Sequence, residues 1–193
     1  MQNFQELKLS RSLNAALIKM KFDIPTPIQV KSIPLILKKK DVLASAQTGT
    51  GKTAAFCIPM IELITLKKIN KAIILVPTRE LAKQVNEVVE KLLFQQSFIK
   101  SVCLVGGESM GKQLKRLKAR PQIIVGTPGR VNDHLKRKSL IINQVDLLIL
   151  DEMDRMLDMG FSIQIDEIIK FLPQEKQTLM FSATIAPSIE KLS

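Results

Sequence analysis

Six short, almost entirely apolar runs recur along the chain, each followed by a helical pattern, and they constrain the fold more than any other feature. They are Val42–Ala46, Ala72–Val76, Val102–Val105, Ile123–Val125, Leu147–Leu150 and Thr178–Phe181. Because apolar and polar residues do not alternate in them, they read as strands covered on both faces by helices. Between the runs, Leu81, Val85, Val88, Val89, Leu92 and Leu93 recur at helical spacing and form one apolar stripe. Ile163, Ile165, Ile168, Ile169 and Leu172 predict a second stripe of the same kind. Strand and helix in alternation imply right-handed crossovers and a mainly parallel sheet. The predicted fold class is therefore α/β, with helices on both faces of the sheet. A length of 193 residues suits one domain, residues 1–193, and no internal repeat or low-complexity tract divides it. Pro187 to Leu192 reads as the first turn of a helix that Ser193 stops without a cap. The expectation is a domain excised from something longer.

Composition removes several classes of function. With 46% hydrophobic and 24% charged residues, the chain is too apolar to be disordered. The longest apolar stretch, Ala54 to Leu66, is short and interrupted by Glu62, so no membrane-spanning helix is expected. The opening MQNFQELKLS lacks the apolar stretch of a secretory signal. Cys57 and Cys103 are isolated, which excludes a disulfide framework and a structural zinc site. Without Trp or Tyr, and with 4% aromatics, a nucleic-acid binder built on stacking platforms is disfavoured. A net charge of +11 favours a polyanionic partner. What remains is a soluble, cytoplasmic, basic domain with no membrane partner.

The sharpest chemical feature is Ala46-Gln47-Thr48-Gly49-Thr50-Gly51-Lys52-Thr53, which follows one predicted strand and opens a predicted helix. Glycines let backbone N–H groups turn inward around an anion, and the helix N-terminus adds partial positive charge. Lys52 can reach the β- and γ-phosphates of a nucleotide, and the Thr53 hydroxyl can ligate Mg²⁺. The strict phosphate-loop pattern has Gly where this chain has Ala46. A second element complements it: the run Leu147–Leu150 ends in Asp151-Glu152. Carboxylates at the C-terminal end of a buried parallel strand sit where such sheets bind ligands. Asp151 can hold Mg²⁺ through its water shell, and Glu152 can orient or deprotonate an attacking water. Together the two elements predict a nucleotide hydrolase.

Seven motifs stand in order: Phe22-Asp23-Ile24-Pro25-Thr26-Pro27-Ile28-Gln29, AQTGTGKT at 46–53, Pro77-Thr78-Arg79-Glu80-Leu81, Gly106-Gly107, Thr127-Pro128-Gly129-Arg130, Asp151-Glu152-Met153-Asp154 and Ser182-Ala183-Thr184. From Phe4 to Thr184 the chain resembles the N-terminal RecA-like domain of a DEAD-box ATP-dependent RNA helicase. Lys21 stands where that family usually has Gly, and Met153 where it has Ala. The resemblance implies that segment 4–29 serves adenine, with Gln29 reading the base, Phe22 stacking on it and Phe4 in support. It implies RNA backbone contacts from Thr78, Arg79, Gly106, Gly107, Thr127, Pro128, Gly129 and Arg130, with the helix near 131–137 bending one strand. Asp154, Ser182 and Thr184 would couple the nucleotide site to RNA separation. The implied cofactors are ATP and Mg²⁺. The implied partners are RNA and a C-terminal RecA-like domain absent from this chain, which would leave the fragment a nearly inactive monomer.

Charge placement points the same way. Between residues 112 and 138 stand Lys112, Lys115, Arg116, Lys118, Arg120, Arg130, Lys136, Arg137 and Lys138 against Asp133 alone, which predicts a phosphate-facing patch beside the RNA motifs. His134, the single histidine, is expected on the surface of the helix after TPGR, and Met153, Met156 and Met159 in packing. Two other functions compete: a non-catalytic, ATP-dependent RNA clamp or assembly platform, and a P-loop transport or DNA-remodelling ATPase. Asp151 and Glu152 count against the first, and the adenine segment and TPGR against the second.

Overall fold

The computed structural model describes residues 3–47 and 49–184. Thr48 and the helical turn expected at 187–192 lie outside them. After a 3-10 turn (Phe4–Leu7) come α1 (Arg11–Lys19), α2 (Pro27–Leu37), β1 (Val42–Ser45), α3 (Lys52–Thr65), β2 (Ala72–Leu75), α4 (Arg79–Leu92) and β3 (Ser101–Leu104). Then follow α5 (Met110–Leu117), β4 (Ile123–Gly126), α6 (Pro128–Lys136), β5 (Leu147–Asp151), α7 (Met153–Asp158), α8 (Ser162–Phe171) and β6 (Gln177–Ser182). The six strands form one sheet in the order β1-β6-β5-β2-β4-β3. Every pairing is parallel.

The apolar runs form central strands because both sheet faces are covered. Ile74, Val125 and Ile149 pack with Leu13, Ile33, Phe56 and Val85 from α1–α4. Their neighbours Ile73, Leu75, Leu148 and Leu150 face the other way, onto Val131, Met153, Met156, Ile165 and Ile168 from α6–α8. Successive strand residues point to opposite faces, so only a run apolar at every position satisfies both layers. Burying each such side chain is worth about 1.5–3 kcal/mol.

Register places the ends of all six strands along one edge. Ser45 pairs with Ser182, Asp151 with Phe181, Leu75 with Leu150, and Gly126 with both Leu75 and Leu104. Loops leaving the strands at this exit edge carry the sequence motifs. The loops entering the strands gather at the opposite edge.

Two sequence expectations need correction. Ile163 is 68% exposed and lies off the core stripe of α8, which buries Ile165 and Ile168. Two helical steps separate Ile163 from Ile165 by about 200°, so both cannot face one core. The basic residues at 112–138 also do not form one patch at the RNA motifs. Helices here run back from the exit edge, so Lys118 and Arg137, the C-caps of α5 and α6, lie towards the entry edge with Arg120 and Lys138. Arg130 alone of the nine lines the groove described below.

Candidate nucleotide site and adjoining groove

The loop between β1 and α3 is shaped by glycine. Gly49 and Gly51 have φ of +83° and +91°, the left-handed region that L side chains avoid. A Cβ at Gly51 would also lie 2.6 Å from Gln29 Nε2. The Thr50 hydroxyl donates to Gln47 O at 2.7 Å, closing the turn. Gly51 caps α3 and has no side chain to take up the helix's first N–H groups. Those groups and the helix dipole therefore remain directed at the loop. Lys52, the first residue of α3, is 6% exposed, and its Nζ is buried without a hydrogen-bond partner among the described residues. An unpaired buried ammonium is costly, and an anion in the loop would satisfy it. Thr53 follows, half-buried.

Asp151, at the end of β5, is 2% exposed. Burial raises its pKa to about 6, against the pull of Lys52 and with a further upward push from Glu152. The Glu152 N–H donates to Asp151 Oδ1 at 3.0 Å. Glu152 has φ 54°, a left-handed conformation that costs a non-glycine residue about 1–3 kcal/mol. Strain of this kind concentrates at functional sites, and here it sits between the last strand residue and α7. Arg155 Nη1 holds Glu152 Oε2 at 3.3 Å.

Asp154 joins β5 to β6. Its Oδ2 accepts from the backbone N–H of Ala183 and of Thr184, both at 3.1 Å, and from the Thr184 hydroxyl at 3.3 Å. The Asp154 N–H donates to Ser182 Oγ at 3.2 Å. Burial pushes its carboxyl pKa upward, but hydrogen bonds from Arg155, Ser182 and Thr184 hold it below the ordinary value. The structure thus brings Asp154, Ser182 and Thr184 into one cluster.

Gln29 is 1% exposed, with Oε1 accepting from Thr26 N at 2.9 Å and Nε2 donating to Gly51 O at 3.1 Å. Its amide binds the start of α2 to the β1–α3 loop, leaving one lone pair and one N–H without a partner among the described residues. Phe22 meets Phe4 edge-on at 6.0 Å between ring centroids. Both rings line a separate cavity of about 520 Å³ with Asn14 and Leu17.

The other motifs meet at the ends of β2, β3 and β4. Pro77, Thr78, Arg79, Gly106, Thr127, Gly129 and Arg130 line one groove of about 510 Å³. Thr78 caps α4, its Oγ1 accepting from Leu81 N at 3.2 Å. Gly107 has φ +76°, and a Cβ there would lie 2.3 Å from Arg79 Nη1, so the second glycine makes room for the guanidinium. Arg130 donates to Glu108 O at 3.1 Å. Pro128 is buried as the first residue of α6.

Several groove residues escaped the sequence reading. Met159, 49% exposed, and Phe161 line it, so Met159 is surface and not core. His134, expected on the surface, is fully buried. Its Nε2 faces Gln113 Oε1 at 3.0 Å and its Nδ1 faces Ser139 Oγ at 2.9 Å. Gln113 donates to Val105 O at 2.8 Å and to Glu108 Oε2 at 3.1 Å, so α6 is anchored to the glycine-pair loop. Since Gln113 spends its N–H groups there, Nε2 of His134 carries the donated proton. Burial lowers the His134 pKa, with Arg130 adding to the effect.

Comparison with known proteins decides the family. A family model described as DEAD/DEAH box helicase matches residues 26–192. The chain belongs to the DEAD/DEAH box helicase family. It is 47% identical over 191 residues to the DEAD-box ATP-dependent RNA helicase CshA of Bacillus subtilis, covering 98% of this chain and 38% of that protein. It is 43% identical to the DEAD-box ATP-dependent RNA helicase RhpA of Helicobacter pylori, over 99% of this chain and 39% of that one. The crystal structure of a DEAD box protein from Methanococcus jannaschii superposes with TM-score 0.93 at 43% identity, over 100% of this chain and 53% of that one. The chain thus spans about two fifths of the length of the curated relatives it matches. Within this family the fold is the RecA-like domain, and 151–154 is a DEMD form of its tetrad.

Proposed function

We propose that the chain is the single N-terminal, ATP-binding domain of an ATP-dependent RNA helicase that locally unwinds or remodels RNA in the cytoplasm. The observation that carries this reading is the buried Lys52 ammonium, without a hydrogen-bond partner among the described residues, at a helix N-terminus capped only by glycine and beside the buried Asp151. Polyphosphate satisfies the ammonium and the helix N-terminus, and a divalent cation carried with it would satisfy Asp151. Gln47, Gly49, Thr50, Gly51 and Lys52 would cradle the phosphates, as would Thr48. The Thr53 hydroxyl and the Asp151 carboxylate are hard oxygen donors, and one or two such groups plus phosphate and water suit Mg²⁺. Mg²⁺, when bound, would neutralise charge on the β- and γ-phosphates. Glu152, with Oε2 held by Arg155, would orient the attacking water and take its proton. Gln29 would read adenine with its unused lone pair and N–H, and Phe22 would stack on the base.

RNA would lie in the groove of Thr78, Arg79, Gly106, Gly107, Thr127, Pro128, Gly129 and Arg130, contacted through sugar and phosphate. Small residues admit the backbone, and guanidinium groups pair with phosphate. Asp154, Ser182 and Thr184 would link the two sites. A second RecA-like domain would complete the cleft and supply a transition-state arginine, worth about 10³–10⁵ in rate. The isolated domain should therefore bind nucleotide as a monomer yet hydrolyse almost none.

Calorimetric titration of the chain with ADP and with GDP, each with Mg²⁺, tests the reading. Tight ADP and much weaker GDP binding is expected. Equal binding would remove the adenine role of Gln29, and no binding of either would remove the nucleotide site from the isolated domain.

A further inference from the structure

The entry edge of the sheet is as basic as the exit edge is not. Each of the six loops entering a strand carries a cation: Lys40 before β1, Lys71 before β2, Lys100 before β3, Arg120 before β4, Lys138 before β5 and Lys176 before β6. Lys38, Lys39, Lys67, Lys68, Lys118 and Arg137 stand in the same loops. Three carboxylates oppose these twelve cations: Asp41, Asp146 and Glu175. Two of the three are spent on the backbone: Asp146 accepts from Asn70 N at 2.6 Å, and Asp41 from Thr178 N at 2.7 Å. By contrast, the described loops leaving the strands hold Glu108 and Glu152 and no lysine.

These cations are carried on fixed backbone. Lys39 Nζ donates to Lys68 O at 2.7 Å, tying the first two loops together. Gln177 Nε2 donates to Lys40 O at 2.6 Å, and Asp146 N to Lys71 O at 3.0 Å. Lys39, Lys67, Arg120 and Lys138 have φ between 50° and 57°, helix-ending positions where glycine is the usual occupant. Among the cations lies a cavity of about 480 Å³, lined by Lys71, Arg120, Ser139, Asn143 and Gln144 over Leu117 and Leu140. That volume falls in the range of ligand pockets, roughly 300–1,000 Å³. Two cations, three neutral polar groups and an apolar floor match a nucleotide: phosphate, sugar and base face.

We propose that this entry edge is a second, sequence-independent docking surface for RNA, with one nucleotide seated in the cavity by Lys71 and Arg120. The proposal goes beyond the groove and rests on the reading of the protein as an RNA-binding helicase. RNA fits better than an acidic protein because the cations are spread over six loops with few hydrogen-bonding partners between them, which suits the even charge of a polyphosphate chain. A long structured RNA would then be held at the entry edge while a short duplex is worked at the groove.

The test uses the full-length protein and its variant Lys40→Gln/Lys68→Gln/Lys71→Gln/Arg120→Gln, with RNAs of about 6 and about 40 nucleotides, titrated over a range of salt. The variant should bind the long RNA about tenfold more weakly, with a salt slope shallower by about 3, since each of the four lost phosphate contacts on a single strand removes about 0.7. Its affinity for the short RNA, which reaches only the groove, and its melting temperature should match wild type. Unchanged affinity and slope for the long RNA, with short-RNA binding intact, would overturn the entry-edge site and leave the groove standing. Failure of the wild type to bind either RNA would overturn both. Displacement of long RNA by poly-glutamate from wild type but not from the variant would assign the edge to an acidic protein and overturn the proposal.

Discussion

The exit edge divides into two halves of opposite construction, although one sheet builds both. At the ends of β1, β6 and β5, polar groups are buried and few: Lys52, Asp151 and Ser182 are each at most 6% exposed. At the ends of β2, β4 and β3 the groove is open, and it pairs Arg79 and Arg130 with glycines and a helix-capping threonine. A dry half strengthens electrostatics and perturbs pKa values, as Asp151 shows. An open half can hold a long polymer through many individually modest contacts. Within the dry half, Asp154 ties the end of β5 to the end of β6.

If the halves do different work, mutations should separate them. The largest effect belongs to the dry half. Glu152→Gln in the full-length protein should lower RNA-stimulated ATP turnover by about 10²–10⁴ while nucleotide affinity holds. A loss confined to affinity would reassign Glu152 to binding. In the groove, Arg79→Ala with Arg130→Ala should weaken RNA binding roughly tenfold to a hundredfold, as expected for charge-assisted hydrogen bonds, and leave the ADP dissociation constant unchanged. An equal loss for both ligands would show that the halves are not independent.

A stability measurement sharpens the contrast. The Asp151 pKa is raised in the folded state, so the native chain holds its proton more tightly than the unfolded chain. Stability on its account is therefore full below the unfolded value of 3.8 and declines as pH rises to about 6. Asp151→Asn removes that penalty. Ligand-free variant at pH 8 should melt several degrees higher than wild type, corresponding to about 1–3 kcal/mol, with the difference closing near pH 4. A variant that melts lower at pH 8 would show that the carboxylate stabilises the fold. The smallest effect concerns His134, whose lowered pKa makes its neutral form the native one. Melting temperature should fall slightly as pH drops below 6.5, and His134→Gln should flatten that slope.

The same contrast explains what could be read from sequence. The six strands were legible because a strand buried on both faces must be apolar at every position, and their observed limits differ by only a residue or two. The tight turn between β1 and α3 was legible because its glycines act through local backbone geometry. The Gln29–Gly51 bond was not, since it joins a side-chain amide to a backbone carbonyl 22 residues away in sequence. His134 sits in a polar stretch that reads as surface, and its partners Gln113 from α5 and Ser139 make its burial tolerable. The charge run at 112–138 misled because residues adjacent in sequence leave by opposite ends of a helix: Arg130 starts α6 at the groove, and Arg137 ends it at the other edge.

Hydrogen exchange of this chain, first with Mg²⁺·ADP and then with single-stranded RNA, tests the division most directly. The account predicts that ADP slows amides around 47–54 and 151–153, and that RNA slows those around 78–80, 106–108 and 128–131. Protection of the same peptides by both ligands, or a response in neither region, would contradict it.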